Sequence, residues 1–153
     1  TVFLDEVGNL SYEVQKQLLR ALQEQKIRPV GSASDIKVDV RIIAATNKNL
    51  KEEIQKGNFR EDLYHRLSVI IINVPPLRNR LDDIPELVGY FVDNISSEMG
   101  KVAPTFTQDA IEELQRYRWT GNIRELHNVI ERLVILCGNE IDGDDVRKFV
   151  VYN

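Results

Sequence analysis

The sequence has little of what would mark a secreted, membrane or metal-caged protein. One cysteine and two histidines among 153 residues exclude an internal disulfide and make a zinc site unexpected. No apolar run reaches the roughly 18 residues of a membrane helix, and no secretory signal pattern is visible. Cys137 stands in an apolar stretch and is expected to be a buried structural thiol. We therefore expect a cytosolic protein without membrane contact.

The sequence also lacks a surplus of basic residues. Its formal net charge is −4, whereas domains that coat nucleic-acid phosphates carry excess positive charge. With 42% hydrophobic and 29% charged residues, the composition is that of a globular protein with one or two small cores. Coating nucleic acid is therefore not the expected activity.

The first half of the chain alternates strand-like and helix-like segments. Thr1–Leu4 is short, apolar and rich in β-forming residues, so it predicts a buried strand and a chain that begins inside a larger domain. Further strands are predicted from Val38 to Ile43 and from Val69 to Val74. Helices are predicted at 10–25 with Ser11 as cap, at 50–56 before Gly57, and at 60–67. This alternation indicates an α/β fold.

Only helical signals follow the proline pair Pro75–Pro76. The prolines therefore predict a boundary between an α/β subdomain, 1–75, and a helical subdomain, 76–153. Asn122 and Glu125 resemble a capping box for one of its helices. Tyr117 and Trp119 are expected to pack this subdomain rather than to stack bases. Its predicted helices are 84–98, 108–117, 123–137 and a short element after Asp142.

An acidic pair follows the first predicted strand directly. Asp5 and Glu6 stand at the strand's C-terminal end, where open α/β sheets place their ligands. Magnesium keeps most of its waters and takes one or two carboxylates, and a neighbouring carboxylate can deprotonate an attacking water. An acidic pair that caps a helix is the alternative, and the pair alone does not decide between the two.

An amide and three arginines are the other candidates. Asn47 ends the second predicted strand, where it could bind a γ-phosphate, or it could be an ordinary turn residue. Arg60 and Arg66 could stabilise phosphoryl transfer or form surface ion pairs; on one helix they would lie roughly 120° apart, too far to hold one phosphate. Arg124 begins a predicted helix, whose dipole favours an anion, with a salt bridge as the alternative. His65 and His127 lack partners at metal-ligand spacing.

Together these positions resemble the ATPase domain of sigma-54-dependent transcription activators, the NtrC-like branch of the AAA+ superfamily. The resemblance covers nearly the whole chain and implies a partial P-loop NTPase three-layer sandwich without its N-terminal strands, followed by an all-α lid. The segments that carry it are TVFLDEVG at 1–8 (Walker B), AATN at 44–47 (sensor I), FREDLYHRL at 59–67 (arginine fingers), PPLRNRLDDIPEL at 75–87 (linker) and WTGNIREL at 119–126 (sensor II).

The resemblance implies a role in ATP hydrolysis for each candidate of the first subdomain. Asp5 would bind Mg²⁺, usually through water, and Glu6 would prime the hydrolytic water. Asn47 would sense the γ-phosphate. Arg60 and Arg66 would reach the nucleotide of a neighbouring subunit.

The resemblance also implies roles outside the hydrolysis residues. Arg124 would be sensor II, and Ile123 would help to line the adenine pocket. The loop from Arg28 to Lys37 would correspond to the second of two loops that move with the nucleotide state. Thr120 departs from the family, which usually has proline there.

Several elements of the family are expected outside this chain. The Walker A lysine loop and the GAFTGA-type loop that engages sigma-54 would precede residue 1, and the DNA-binding helix-turn-helix would follow the lid. The resemblance implies a homo-oligomeric ring that acts on sigma-54 RNA polymerase, and contact with DNA only through that further domain. The chain alone is expected to hydrolyse ATP poorly or not at all, because it has no lysine loop to bind the phosphates.

Loss of the Walker A strand is expected to leave a gap between the sensor I strand and the predicted strand at 69–74. Unpaired backbone groups in an apolar setting are costly. The two strands are therefore expected to pair directly, to recruit the edge of another chain, or to stay separate while the lid folds alone.

Two other functions remain open at this point. The chain could be an ATPase of another AAA+ branch, such as a magnesium-chelatase-like or helicase-loading protein. It could also be a DNA-binding protein, if 107–117 and 123–137 formed a helix-turn-helix. Acidic side chains on those helices argue against DNA binding because they would repel phosphates: Glu112, Glu113, Glu125 and Glu131.

Overall fold

The computed structural model describes residues 1–29, 31–32 and 34–150, and the chain divides into two compact units, Thr1–Ile72 and Asn73–Asn153. Val30 and Ala33, which fall in the segment from Arg28 to Lys37 noted above, lie outside the described residues. In the part of the chain that is described, no helix combines the length and apolar character needed to span a membrane.

The described residues of the first unit form four short strands and three α-helices. In chain order these are β1 (Val2–Leu4), α1 (Tyr12–Glu24), β2 (Lys26–Ile27), β3 (Ile36–Lys37), β4 (Ile42–Ala44), α2 (Leu50–Gln55) and α3 (Glu61–Leu67). Strand β1 pairs in parallel with β4, and β2 pairs in antiparallel with β3. The α/β alternation predicted for this half of the chain is therefore observed.

All three strand predictions for this unit need correction. The second predicted strand, from Val38 to Ile43, is regular only from Ile42, because the residues that pair with β1 are 42–44. The first strand is in place but is not buried, since Phe3 of β1 is 61% exposed.

The third predicted strand, Val69–Val74, is wrong. None of these residues is in a strand, and Val69, Ile70 and Ile72 are 80% to 83% exposed. Branched apolar side chains favour a strand only where a neighbouring strand accepts the backbone hydrogen bonds. Among the described residues β4 pairs with β1 and not with this segment, so the direct pairing expected after loss of the Walker A strand is not observed. Recruitment of another chain's edge stays a prediction.

Helix α1 follows from its sequence pattern. The Ser11 side chain accepts a hydrogen bond from the Val14 amide at 3.5 Å, as the predicted cap would. The apolar face packs Leu19 against Phe59 and Leu63, which are the buried core of this unit. The packing of α1 against Phe59 and Leu63 therefore brings the segment that carries Arg60 next to α1.

The second unit is built around one large apolar core. Its elements are α4 (Ile84–Met99), β5 (Thr105–Phe106), α5 (Gln108–Gln115), α6 (Asn122–Leu136), β6 (Glu140–Ile141) and α7 (Gly143–Phe149). The all-helical prediction missed the parallel pair β5–β6, because two residues per strand are too short to show periodicity. Trp119 lies in the core as predicted, and its indole N–H donates to the Leu114 carbonyl at 2.9 Å.

The predicted capping box at the start of α6 is wrong. The Asn122 side chain accepts the Leu77 amide at 2.9 Å, so it is not available to cap its own helix. Glu125 instead accepts the Gly121 amide at 2.8 Å. A true capping box lies at the start of α7, where Asp142 and Asp145 each accept the other's backbone amide.

The polar residues of the second unit are also tied into its fold. Glu113, one of the acidic residues expected to repel phosphates, is buried and accepts hydrogen bonds from Arg116 at 2.9 Å and Arg147 at 3.0 Å. Cys137 is half-buried, and desolvation is the main cause that raises the pKa of its thiol. The predicted full burial of Cys137 is therefore not observed, while the raised pKa favours the protonated thiol expected of a structural cysteine.

We expect the loss of unfolding free energy caused by a substitution in α6 to depend on how deeply the residue is buried. Ile130→Ala should lower the unfolding free energy of the second unit by about 2–5 kcal/mol, because Ile130 is 0% exposed and its loss leaves a cavity. Ile135→Ala, on the same helix but 48% exposed, should cost less than about 1 kcal/mol. Urea unfolding followed by the fluorescence of the single tryptophan, Trp119, measures both. Equal losses would contradict the described core.

Candidate functional site

The acidic pair and Asn47 follow two strands that pair with each other. Leu4 of β1 lies opposite Ala44 of β4, and the Ala45 amide donates to the Leu4 carbonyl at 2.8 Å. The Val7 amide in turn donates to the Ala45 carbonyl at 3.0 Å. The loops that carry the acids and the amide therefore leave the strand pair at the same edge, side by side.

The acidic loop has a strained and well-defined backbone. Glu6 lies in the left-handed region at φ 53° and ψ 39°, a conformation that costs a residue with a Cβ about 1 kcal/mol or more. The Glu6 amide donates to Asp5 Oδ1 at 2.9 Å, and Asn9 donates to Glu6 Oε2 at 3.0 Å. These contacts orient both exposed carboxylates while using one oxygen of each.

Gly8 allows the two loops to come close. A Cβ at this position would lie 2.7 Å from Thr46 Oγ1, which is closer than non-bonded atoms tolerate. Lys48 bridges the same loops, because its Nζ donates to the Gly8 carbonyl at 3.2 Å. Sequence reasoning missed Gly8, Thr46 and Lys48; the available signal was a glycine three residues after Asp5, within the strand-tip segment.

Asn47 lies in the turn that these contacts hold. The Lys48 amide donates to Thr46 Oγ1 at 3.1 Å across this turn. The Asn47 side chain is exposed and has no hydrogen-bond partner among the described residues. Its amide is therefore available to a ligand at the edge where the acidic loop ends.

The side chains at this edge suit a magnesium ion that is held mainly by other ligands. Within the described residues, no three His, Cys, Asp or Glu side chains converge as a metal cage. Magnesium prefers oxygen ligands and retains several waters, so a single carboxylate such as Asp5 suffices when phosphates supply further oxygens. The residues present fit that kind of site.

Arg60 is held by a cradle of two side chains. Its Nε and Nη2 donate to the two carboxylate oxygens of Asp62 at 2.9 and 2.7 Å, and its Nη1 donates to the Tyr12 hydroxyl at 3.0 Å. The guanidinium also lies 5.1 Å from the centroid of the Tyr12 ring. These hydrogen bonds hold the pKa of the Asp62 carboxyl below its usual range. Sequence reasoning missed both partners.

Arg66 occupies a different environment from Arg60. It lies in the last turn of α3, exposed, and its Nη2 donates to the Leu22 carbonyl at 3.3 Å. Arg60 precedes α3 as its N-cap residue, so the two arginines do not share one helix as predicted. They are nevertheless held by separate partners, Tyr12 and Asp62 for one and Leu22 for the other.

In the second unit, Ile123 and Arg124 lie in the first turn of α6. Ile123 is partly buried and packs against the core of this unit. Arg124 is exposed, and the salt bridge considered as its alternative is not formed with any described residue.

Two family models match the chain in succession. The model described as the sigma-54 interaction domain matches residues 1–73, and the model described as the AAA+ ATPase lid domain matches residues 78–152. The chain belongs to the sigma-54 activators of the AAA+ family. The resemblance noted in the sequence is thus confirmed over both units.

Relatives of this AAA+ chain are transcription regulators. It is 49% identical to the nitrogen assimilation regulatory protein NtrX of Azorhizobium caulinodans over 94% of this chain and 32% of that protein. It is 51% identical to the nitrogen fixation protein AnfA of Azotobacter vinelandii over 92% of this chain and 26% of that protein. The chain therefore spans about a third or less of the length of these relatives.

Solved structures of NtrX from Brucella abortus share the fold. The ATP complex superposes with a TM-score of 0.88 at 40% identity, covering 97% of this chain and 36% of that one. The ADP complex superposes with a TM-score of 0.83 at 46% identity, covering 88% and 31%. The predicted AAA+ fold with a helical lid is confirmed.

Membership of the sigma-54 activators also bears on the two alternatives. An assignment to another AAA+ branch is not supported, because the first 73 residues match the sigma-54 interaction domain. The helices suggested for a helix-turn-helix, α5 and α6, lie within the match to the lid.

We expect Gly8→Ala to lower the unfolding free energy by about 1–3 kcal/mol, because the added methyl overpacks the contact with Thr46. Adding Thr46→Ala should recover part of the loss, since it removes the nearest atom. Gly89→Ala is the control: nothing lies within 4 Å of a Cβ there, and helix propensity should make it neutral or stabilising. Urea unfolding followed by circular dichroism tests this, and strictly additive losses at 8 and 46 would refute the contact.

We expect Arg60→Ala to raise the pKa of Asp62 towards its ordinary value of about 3.9, since the main cause of its lowering is the hydrogen bond from Arg60. A lowered native pKa means that this contact stabilises the fold above about pH 3.9 and is lost as pH falls through the native value. Carbon-13 NMR titration of the carboxyl groups measures the change. Glu53 is the control, because its pKa is lowered by Asn58 and Lys56 and should not move.

Proposed function

We propose that the first unit supplies the metal-binding, water-activating and neighbour-contacting residues of an ATPase. The observation that carries the proposal is the hydrogen-bonded strand pair that places Asp5, Glu6 and Asn47 at one edge. Membership of the sigma-54 activators supports it, as do the ATP and ADP complexes of the structurally similar NtrX. The cofactors would be ATP and Mg²⁺.

The two carboxylates would take different parts in hydrolysis. Asp5 would hold the waters of the magnesium ion, and the bound ion would neutralise charge on the phosphates. Glu6 would orient and deprotonate the attacking water. Its Oε2 is engaged by Asn9, which leaves Oε1 to receive the proton. Asn47 would donate its amide to the γ-phosphate and so register whether ATP or ADP is present.

Arg60 and Arg66 would act on the nucleotide of a neighbouring subunit in a homo-oligomeric ring. An arginine placed on the transferring phosphoryl group accelerates such reactions by about 10³–10⁵. In a ring with a head-to-tail interface, each subunit presents one surface to its neighbour's site. Arg60 is exposed in part and would exchange its bonds with Asp62 for bonds to phosphate oxygens.

The remaining assignments concern the lid and the partner. In the second unit, Arg124 would contact phosphate and Ile123 would contact adenine. The whole protein would use hydrolysis to remodel sigma-54 RNA polymerase, through elements that this chain mostly does not contain, and would bind DNA through a further domain. These partners follow from the family and not from a surface of the chain.

Glu6→Gln tests the proposal in the natural protein that carries this chain. Loss of a general base should lower ATP hydrolysis at least about 100-fold, while ATP affinity changes less than about threefold, because the substitution preserves shape. Glu13→Gln is the matched control: Glu13 is an exposed acid on α1, paired with Lys16 at 3.5 Å. Hydrolysis by Glu6→Gln at a rate similar to the control would contradict the assignment.

A further inference from the structure

Gln15 is a buried polar residue whose hydrogen bonds are all made to the backbone. It lies on α1 and is 0% exposed. Its Nε2 donates to the Leu10 and Asn58 carbonyls, both at 2.9 Å, and its Oε1 accepts the Arg60 amide at 2.9 Å. Both hydrogens of the side-chain amide and its oxygen are therefore engaged.

These three bonds join segments that are distant in sequence. Leu10 ends the loop that carries Glu6, while Asn58 and Arg60 precede α3 and lie 43 and 45 residues from Gln15. An apolar side chain of the same size would leave two carbonyls and one amide without partners. Because all three bonds must form at once, they fix the segment before α3 relative to the acidic loop more narrowly than apolar packing would.

Helix α1 holds Arg60 at both ends. Gln15 fixes its backbone amide, and Tyr12, one turn earlier on the same helix, accepts a hydrogen bond from its guanidinium. Within its own segment the Arg60 side chain is held by Asp62 in the first turn of α3. The position of Arg60 relative to α1 therefore depends on Gln15 and Tyr12.

We propose that Gln15 is a positioning residue that sets Arg60 in register with the loop carrying Glu6. The proposal rests on the function proposed above, in which Arg60 serves the neighbouring subunit and Glu6 serves its own. Gln15 then couples two positions within one subunit. One is that of the arginine presented to the neighbouring subunit, and the other is that of the subunit's own acidic loop. A residue of merely structural importance would instead affect both sites of the subunit.

Mixing two inactive variants separates these possibilities. Gln15→Met should lower ATP hydrolysis by the whole natural protein at least about tenfold, with the KM for ATP changed less than about twofold. Its own acidic loop should stay competent after the bond to Leu10 is lost, because Val7 and Gly8 still bond to the loop that follows β4. Its arginine would be misplaced. A Glu6→Gln subunit has the opposite defect, so it should supply a working arginine to a Gln15→Met neighbour.

An equal mixture of the two variants should therefore regain hydrolysis. About a quarter of the wild-type rate per subunit is expected, because half of the subunits have an intact site and half of those face an intact arginine in a randomly mixed ring. The reference mixture is Arg60→Ala with Glu6→Gln, which should recover similarly. Gln17→Met, the same change at an exposed position of α1, should leave hydrolysis unchanged.

The outcomes distinguish this proposal from the function on which it rests. If the reference mixture stays inactive, the assignment of Arg60 fails and the role of Gln15 fails with it. If the reference mixture recovers but the Gln15→Met mixture does not, only the role of Gln15 is overturned. Wild-type hydrolysis by Gln15→Met alone overturns it as well.

A second variant covers the case in which Gln15→Met does not fold. Gln15→Asn keeps an amide but is one methylene shorter, so it cannot reach all three backbone partners at once. The space left by the methylene is lined by polar groups that a water molecule can bond, so this variant should fold more readily. It should show the same loss alone and the same recovery in the mixture. Failure of both variants to bind ATP would count against the proposal, because it would make Gln15 a residue of general stability.

Discussion

The site depends on the register between β1 and β4. Because Leu4 lies opposite Ala44, the next residues of both strands continue into loops that hydrogen-bond to each other through Ala45 and Val7. A slip of one residue would turn every side chain to the opposite face and would separate the acidic loop from the turn of Asn47. Gly8 is part of the same constraint, because a larger residue would push the loops apart.

Polar contacts position the functional segments of the first unit, whereas apolar packing dominates the second. The buried core of the first unit is small, consisting of Leu19, Phe59 and Leu63. Such a core packs α1 against Phe59 and α3 but gives no partner to the backbone polar groups next to Phe59. The side-chain amide of Gln15 supplies those partners, at the Asn58 carbonyl and the Arg60 amide. Directional hydrogen bonds are well suited to this task, since their strength falls steeply with misalignment.

Local patterns in the sequence predicted local structure well. The amphipathic spacing correctly predicted α1 and α6, and the apolar run before Asp5 and Glu6 correctly predicted a strand that ends at the acidic pair. Each of these signals lies within one element or at its boundary. The strand predicted at 69–74 was wrong because a strand requires a partner that composition does not reveal. Asn122 was taken for a cap because its true partner, Leu77, lies 45 residues away.

The residues that sequence reasoning missed are those whose role depends on distant contacts. Gln15 resembles any polar residue of an amphipathic helix until Arg60 and Asn58 are brought to it. Tyr12 likewise shows no sign of its contact with Arg60, 48 residues further along the chain. The family's motifs identified the residues proposed to carry the chemistry, but not those that hold them in place.

The central claim is that the edge formed by β1 and β4 faces the triphosphate. A crystal structure of the natural protein with Mg²⁺ and a non-hydrolysable ATP analogue tests this most directly. The account predicts the Asp5 carboxylate within about 4 Å of the metal, one water away, with the Asn47 amide in hydrogen-bonding distance of the γ-phosphate. A metal bound on another face, with Asp5 and Asn47 both remote from the phosphates, would contradict the account.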